Sequence, residues 1–123
     1  MSNKKFSLRD RLKSFSHAFR GINSALLSEH NMWIHMIAAV VVIFLGLFFN
    51  VTKTEWLILL LCIGVVLAAE LFNTAIEELA NAITQEQNER IGRAKDVAAG
   101  AVLVVAITAA VVGVLVLLPY FMK

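Results

Sequence analysis

Three polar side chains, Glu70, Asn73 and Glu77, interrupt a long apolar segment at helical spacing. At about 100° per residue they lie within about 60° of one another, so they share one face of a helix. Glu78 points away from that face. Ionisable groups inside a membrane helix are costly unless they are paired, hydrated or metal-bound, so this face predicts a functional site. The alternative is a purely structural role, in which these groups only hydrogen-bond a neighbouring helix.

Glu29 adds a third carboxylate, at the start of the preceding apolar segment. Oxygen ligands of this kind suit Mg²⁺, which commonly shares its coordination sphere with substrate phosphates. Arg93 and Lys95, with Arg9 and Arg11 near the N-terminus, could neutralise such phosphates. Basic residues also flank many spans only to fix their topology, so this signal is weak by itself.

Several other chemistries are excluded by the motifs that the sequence lacks. It contains no G-x-x-x-x-G-K-[ST] loop, no G-x-G-x-x-G, no H-E-x-x-H and no nucleophile elbow, so neither a soluble-type phosphate loop nor a zinc hydrolase is encoded. His30 and His35 are poorly spaced for joint metal ligation on a helix. Cys62 is the only cysteine, so no intrachain disulfide can form.

The composition decides which elements must position these residues. The chain is 59% hydrophobic and 16% charged over 123 residues, outside the range of ordinary soluble domains. Long apolar runs with a single proline favour helices over a barrel. We predict an all-α integral membrane protein of one domain, residues 1–123. Its predicted elements are an N-terminal interfacial amphipathic helix at 6–27 and transmembrane helices at 29–49, 55–81 and 95–121.

The basic residues predict the orientation. Of the eleven Lys and Arg residues, only Lys53 and Lys123 follow the predicted outer ends of spans. The others lie in the N-terminal segment or around the link between the second and third predicted spans. They are Lys4, Lys5, Arg9, Arg11, Lys13, Arg20, Arg90, Arg93 and Lys95. The positive-inside rule then places the N-terminus in the cytoplasm and the C-terminus outside.

The third predicted span begins with small residues, which let membrane helices approach closely. They are Gly92, Ala94, Ala98, Ala99, Gly100 and Ala101. Three helices make a thin bundle around a polar site, so we expect the chain to form oligomers.

Two sequence patterns resemble a known family. The run from Glu70 to Glu77 reads E-L-F-N-T-A-I-E, and the run from Gly92 to Asp96 reads G-R-A-K-D. Together with Arg20-Gly21-Ile22 and Glu29, they are similar to the bacterial membrane diacylglycerol kinase and undecaprenol kinase family. The resemblance implies a homotrimer in the bacterial cytoplasmic (inner) membrane, with active sites shared between neighbouring subunits.

The resemblance also implies a reaction and a role for each matching residue. The expected reaction transfers the γ-phosphate of ATP to the hydroxyl of a membrane lipid. Glu70 becomes the base that takes the hydroxyl proton, Asn73 orients the reacting groups, and Glu29 and Glu77 become ligands of Mg²⁺. The residues expected to contact the nucleotide are Glu86, Gln87, Asn88, Lys95 and Asp96, with Arg9 or Arg11 and His17 from the N-terminal helix.

The lipid acceptor is predicted from a shorter pattern. Asn31 and the pair Ile34-His35 are typical of the undecaprenol kinase branch, whereas an acid stands in the place of His35 in the diacylglycerol kinase branch. We therefore slightly favour undecaprenol as the acceptor. Met32 and Trp33 replace basic residues that are often found nearby in that branch, so diacylglycerol, which would give phosphatidic acid, stays the alternative.

Two alternatives come from other functional classes. A small proton- or cation-coupled transporter would also carry glutamates in its spans, but near the bilayer midplane. A structural assembly factor would explain the small-residue helix but not the carboxylates. No nucleic-acid partner is expected.

Overall fold

The protein folds into four α-helices in the computed structural model, which describes residues 5–123. They are α1 (Leu8–Ser28), α2 (His30–Phe49), α3 (Lys53–Ile83) and α4 (Glu89–Phe121). The described part of the chain contains no strand, so the predicted all-helical class is confirmed. Residues 1–4, including the Lys4 that we counted for orientation, lie outside the described residues.

Three of these helices, α2, α3 and α4, are long and apolar enough to cross a membrane. Most of their large apolar side chains are exposed on the single chain, as expected where the surrounding solvent is lipid rather than water. The helix α1 precedes them, begins at the cap Ser7 and carries Asp10 in its first turn. The expected architecture of one amphipathic helix followed by three spans is therefore observed.

The joint between α1 and α2 is a single residue, Glu29. Its backbone is extended, with φ −114° and ψ 116°, and its amide donates to the carbonyl of Ala25 at 2.9 Å. Because α1 ends and α2 begins on either side of this residue, the Glu29 side chain is fixed at the start of the first span.

A tight turn joins α2 to α3. Asn50 adopts the left-handed conformation with φ 53°, which asparagine tolerates better than most residues. Thr52 then caps α3, since its hydroxyl accepts from the amide of Glu55 while the Glu55 carboxylate accepts from the amide of Thr52. This reciprocal capping box fixes where the second span begins.

The helix α4 begins at Glu89, before the start near Lys95 that we predicted for the third transmembrane helix. Asn88 explains the difference, because its Oδ1 accepts from the amides of Arg90 at 3.0 Å and Ile91 at 3.1 Å. An asparagine cap stabilises a helix start even where the first turns are polar. The α3–α4 link is correspondingly short, and Lys95 lies on α4 itself.

The spans pack as an antiparallel pair, α3 and α4, with α2 against them. Contacts at opposite ends establish the direction: Lys95 of α4 reaches Asn81 of α3, while Tyr120 of α4 reaches Glu55 of α3. We call the end that contains Glu29 and the α3–α4 link the link end. The end that contains Asn50 and the C-terminus is the turn end.

The turn end holds the main apolar core. Val51, Leu59 and Leu117 are buried there, and the ring of Phe49 stacks on Tyr120 with a centroid distance of 5.4 Å. The Tyr120 hydroxyl donates to the Glu55 carboxylate. These contacts join α2, α3 and α4 at this end.

Candidate functional site

Glu70 lies at the centre of the buried face of α3. Its exposed fraction is 0%, and Asn73 and Thr74 beside it are exposed by only 7% and 8%. Thr74 donates its hydroxyl to the Glu70 carbonyl at 2.9 Å. Among the described residues, neither carboxylate oxygen of Glu70 nor Oδ1 of Asn73 has a hydrogen-bond partner. A buried carboxylate without such partners is costly, which points to chemistry rather than packing.

His35 faces Glu70 from α2. It lies on the inward face of α2 between Met32 and Ala39, which are both buried, and its Nε2 is 3.4 Å from Oε2 of Glu70. This distance is within ion-pair range but longer than a well-formed hydrogen bond. We had not predicted the contact. The available signal was that His35 shares a helical face with Ala39.

Glu29 completes the carboxylate cluster from the joint between α1 and α2. Its pKa is raised from the usual 4.5, first by burial and then by the negative charges of Glu77, Glu70 and Glu78, while His30 opposes the shift. Glu29 therefore lies close enough to the α3 carboxylates for their negative charge to raise its pKa. Glu77 is half-buried and Glu78 is exposed, as the helical spacing predicts.

The carboxylates present fit a divalent cation that keeps part of its coordination sphere for other ligands. The described residues contain no group of three or more His, Cys, Asp or Glu side chains that could enclose a metal. Glu29 and Glu77 repel each other, and within the described residues neither forms an ion pair with a lysine or arginine. Mg²⁺ is commonly bound by one or two carboxylates, with water and substrate phosphates as its other ligands.

A polar cavity of about 620 Å³ lies at the link end, between the last turn of α3 and the first turns of α4. Four residues that we expected to contact the nucleotide line it: Glu86, Gln87, Asn88 and Lys95. Lys95 is held in place by Asn81, because its Nζ donates to Oδ1 of Asn81 at 2.8 Å.

Asn81 is a site residue that our sequence reasoning missed. It follows Glu77 by one helical turn and so continues the face that carries Glu70. That periodicity was the signal that could have identified it. The cavity therefore begins where the polar face of α3 ends.

Other predicted residues lie outside this cavity. Asp96 is exposed on α4, and Arg9, Arg11 and His17 are exposed along α1. None of these four lines the cavity. Their proposed contacts with a nucleotide therefore stay predictions.

The sequence matches one family over most of its length. The family model described as prokaryotic diacylglycerol kinase covers residues 16–117. This region contains Glu29, His35 and the polar face of α3, together with the α3–α4 link.

The chain is similar to relatives named undecaprenol kinase and to relatives named diacylglycerol kinase. The undecaprenol kinase of Bacillus subtilis strain 168 is 41% identical over 107 residues, which cover 87% of each chain. The diacylglycerol kinase of Synechocystis is 37% identical over 109 residues, covering 88% of this chain and 62% of the relative. The diacylglycerol kinase of Escherichia coli K12 is 26% identical over 110 residues, covering 89% and 90%. With this match and these relatives, the chain belongs to the prokaryotic diacylglycerol kinase family.

Proposed function

We propose that this membrane lipid kinase transfers the γ-phosphate of ATP to the hydroxyl of a lipid alcohol, and that it prefers undecaprenol to diacylglycerol. The lipid kinase activity follows from the family, which leaves no reason to favour a coupled transporter. The observation that carries the mechanism is Glu70, a completely buried carboxylate with no hydrogen-bond partner among the described residues.

Glu70 acts as the general base in this proposal. As the lipid oxygen forms its bond to the γ-phosphorus, the O–H bond breaks and the proton passes to the Glu70 carboxylate. The bond between the γ-phosphorus and the bridging oxygen breaks, and ADP leaves. The products are a lipid phosphate and ADP, and Glu70 later releases the proton to water. Phosphoryl transfer depends mainly on positioning and charge neutralisation, so a fixed base beside the acceptor suffices.

Glu29 and Glu77 are the residues that would hold Mg²⁺. When bound, the ion would neutralise phosphate charge during transfer. Asn73 lies one turn from both Glu70 and Glu77 on the same face of α3, so its free Oδ1 is available to orient the reacting groups. Burial and then the neighbouring carboxylates raise the pKa of Glu29, and the negative charge gathered by these carboxylates favours binding of a cation.

The link-end cavity is the proposed nucleotide site. Lys95 would pair with the phosphates, while Glu86, Gln87 and Asn88 would contact the remainder of the nucleotide. Asp96, His17 and one of the arginines Arg9 and Arg11 would join them once ATP is bound. We place this end in the cytoplasm, at the inner membrane, because the positive-inside rule does so and ATP is available there.

The lipid preference follows from position and from sequence. The carboxylates lie near the end of a span, where the hydroxyl of a lipid meets the headgroup region while its tail remains in hydrocarbon. A tail would contribute through apolar burial along α2 and residues 26–33 rather than through specific hydrogen bonds. Asn31 and Ile34-His35 match the undecaprenol kinase branch, and the relative with 41% identity bears that name.

A side-by-side comparison of the two lipids as phosphate acceptors tests the proposal. Purified protein in nanodiscs of one composition receives undecaprenol or diacylglycerol at matched mole fraction with labelled ATP, and the phosphorylated products are compared. We expect faster transfer to undecaprenol and almost no transfer by Glu70→Gln. Diacylglycerol phosphorylated about tenfold faster would overturn the lipid preference alone. Failure to phosphorylate either lipid would overturn the kinase reaction.

A further inference from the structure

In the part of the chain that the structure describes, the Glu70 carboxylate has one ion-pair partner, His35 of α2. Its Nε2 lies 3.4 Å from Oε2, and the two side chains are exposed by 18% and 1%. Within the described residues, Oε1 and Oε2 have no hydrogen bond. Lys95 is bonded to Asn81, about three turns nearer the link end.

The two helices fix this pair by their buried faces. On α2, Met32, His35 and Ala39 follow one another at steps of three and four residues, so His35 faces inward with its apolar neighbours. On α3, Val66, Glu70 and Asn73 repeat the same spacing on the buried face. While these faces remain packed, Glu70 is shielded from water and His35 is only partly exposed.

We infer that His35 is a positioning residue for Glu70, holding Oε2 through Nε2–H and leaving Oε1 to take the proton of the lipid hydroxyl. This inference rests on the proposed function, since it assigns a task to a residue within the same site. His35 touches neither substrate in this arrangement and acts only through Glu70.

Histidine suits this task better than the other donors. A neutral imidazole supplies one N–H donor without a permanent charge. A lysine or arginine at the same place would hold Glu70 ionised by direct pairing and make it a poorer proton acceptor. The separation of 3.4 Å is compatible with this role, because catalytic hydrogen bonds in free enzymes are often long and tighten when substrate binds.

Two amide substitutions separate the donor role of His35 from simple packing. The amide nitrogen of glutamine can occupy the place of Nε2, whereas that of asparagine falls closer to the place of Nδ1. We therefore expect His35→Gln to keep kcat within about fivefold of the unmodified protein. His35→Asn and His35→Ala should lower kcat about thirtyfold or more, as part of the 10²–10⁴-fold that a positioned base supplies. The KM values for ATP and lipid should stay within about twofold.

Cys62→Ala provides the control, because it also truncates a half-buried side chain but lies on α3 away from the site. It should leave kcat unchanged. Equal losses in His35→Gln, His35→Asn and His35→Ala, or retention of more than a third of kcat by His35→Ala, would overturn the inference. An unmodified protein that phosphorylates no lipid would instead overturn the proposed function.

A double variant keeps the test valid if His35→Ala is unstable. Residues that act as one unit have non-additive effects on rate. Adding His35→Gln or His35→Asn to Glu70→Gln should therefore not lower the residual rate of Glu70→Gln further. A further drop of about tenfold with either double variant would show that His35 acts independently of Glu70, and would overturn the positioning role.

Discussion

Glu70 is buried on every side by its own chain, yet the proposed reaction requires it to meet a substrate hydroxyl. The packing of α2 and α3 places its carboxylate, which has no hydrogen bond among the described residues, and we infer that His35 orients it. Replacing the carboxylate by its amide removes the proton acceptor while keeping the shape of the side chain.

For Glu70→Gln we expect turnover to fall by about 10²–10⁴-fold or more, because only the general base is lost. Nucleotide affinity should stay within about twofold, since the link-end cavity is untouched. Lipid-dependent ADP release measures the first quantity and equilibrium binding of Mg-ATP the second. More than about a tenth of the original activity in this variant would exclude Glu70 as the essential base.

Glu29 and Glu77, the proposed Mg²⁺ ligands, should affect the dependence of the rate on Mg²⁺ concentration. Replacing either residue by glutamine should raise the Mg²⁺ concentration needed for half-maximal rate as well as lower the rate. Protons compete with the metal for Glu29, and its raised pKa means that this competition begins at a higher pH than for an ordinary glutamate. The Mg²⁺ requirement should therefore increase as pH falls, and this increase should be smaller in Glu29→Gln. Unchanged Mg²⁺ titrations for both variants would remove the two residues from the metal site.

The close packing of α2 against α3 depends on Gly46, which has no side chain where the ring of Trp56 lies. A Cβ on Gly46 would stand 2.6 Å and 2.9 Å from two ring atoms of Trp56, closer than real contacts allow. A Cβ on Gly64 of α3 would meet nothing within 4 Å. The two glycines therefore form a matched pair for measuring how closely α2 packs.

Gly46→Ala should destabilise the protein by about 1–3 kcal/mol, the usual cost of adding a methyl group to a filled space. Gly64→Ala should be neutral or stabilise by up to about 1 kcal/mol, because alanine favours the helix. Unfolding in mixed detergent micelles measures both. Equal stability of the two variants would show that the contact of Gly46 with Trp56 does not limit packing.

Features that depend on local sequence patterns could be predicted, whereas features that depend on contacts between helices could not. Apolar runs and the spacing of Glu70 and Glu77 are local, so the three spans and the polar face of α3 followed from the sequence. The start of α4 depended on the Asn88 cap, which we read as part of a longer polar link. The pairing of His35 with Glu70 and of Lys95 with Asn81 depends on which helices pack together, and no local pattern encodes that.

For the whole molecule, the exposed small residues at the start of α4 carry the argument for assembly. Ala94 and Ala101 are exposed on the single chain and share one face of α4, whereas Ala98 is buried against its own helices. Small residues on an exposed membrane face allow a second helix to approach closely. This face is where we predict contact with a neighbouring subunit of the homotrimer that the family resemblance implies.

We therefore expect the mass of three chains in native mass spectrometry from detergent or nanodiscs. Ala101→Leu, which adds bulk to this face, should shift the population toward smaller species, while Ala99→Leu adds the same bulk about 160° away around the same helix and serves as the control. A monomer at working concentration would contradict the assembly.

Mixing Glu70→Gln chains with Lys95→Ala chains extends the test, since recovered activity requires active sites that are built from residues of two subunits.

The contacts at the turn end limit how the bundle can move. Tyr120, Glu55 and the ring of Phe49 join all three spans there. At the link end, the one side-chain hydrogen bond between α3 and α4 among the described residues is that of Lys95 to Asn81. Helices pinned at one end separate by rotating about that end, so any opening is widest at the other. A long isoprenoid chain could then slide between the helices sideways from the bilayer, while the opposite leaflet stays sealed.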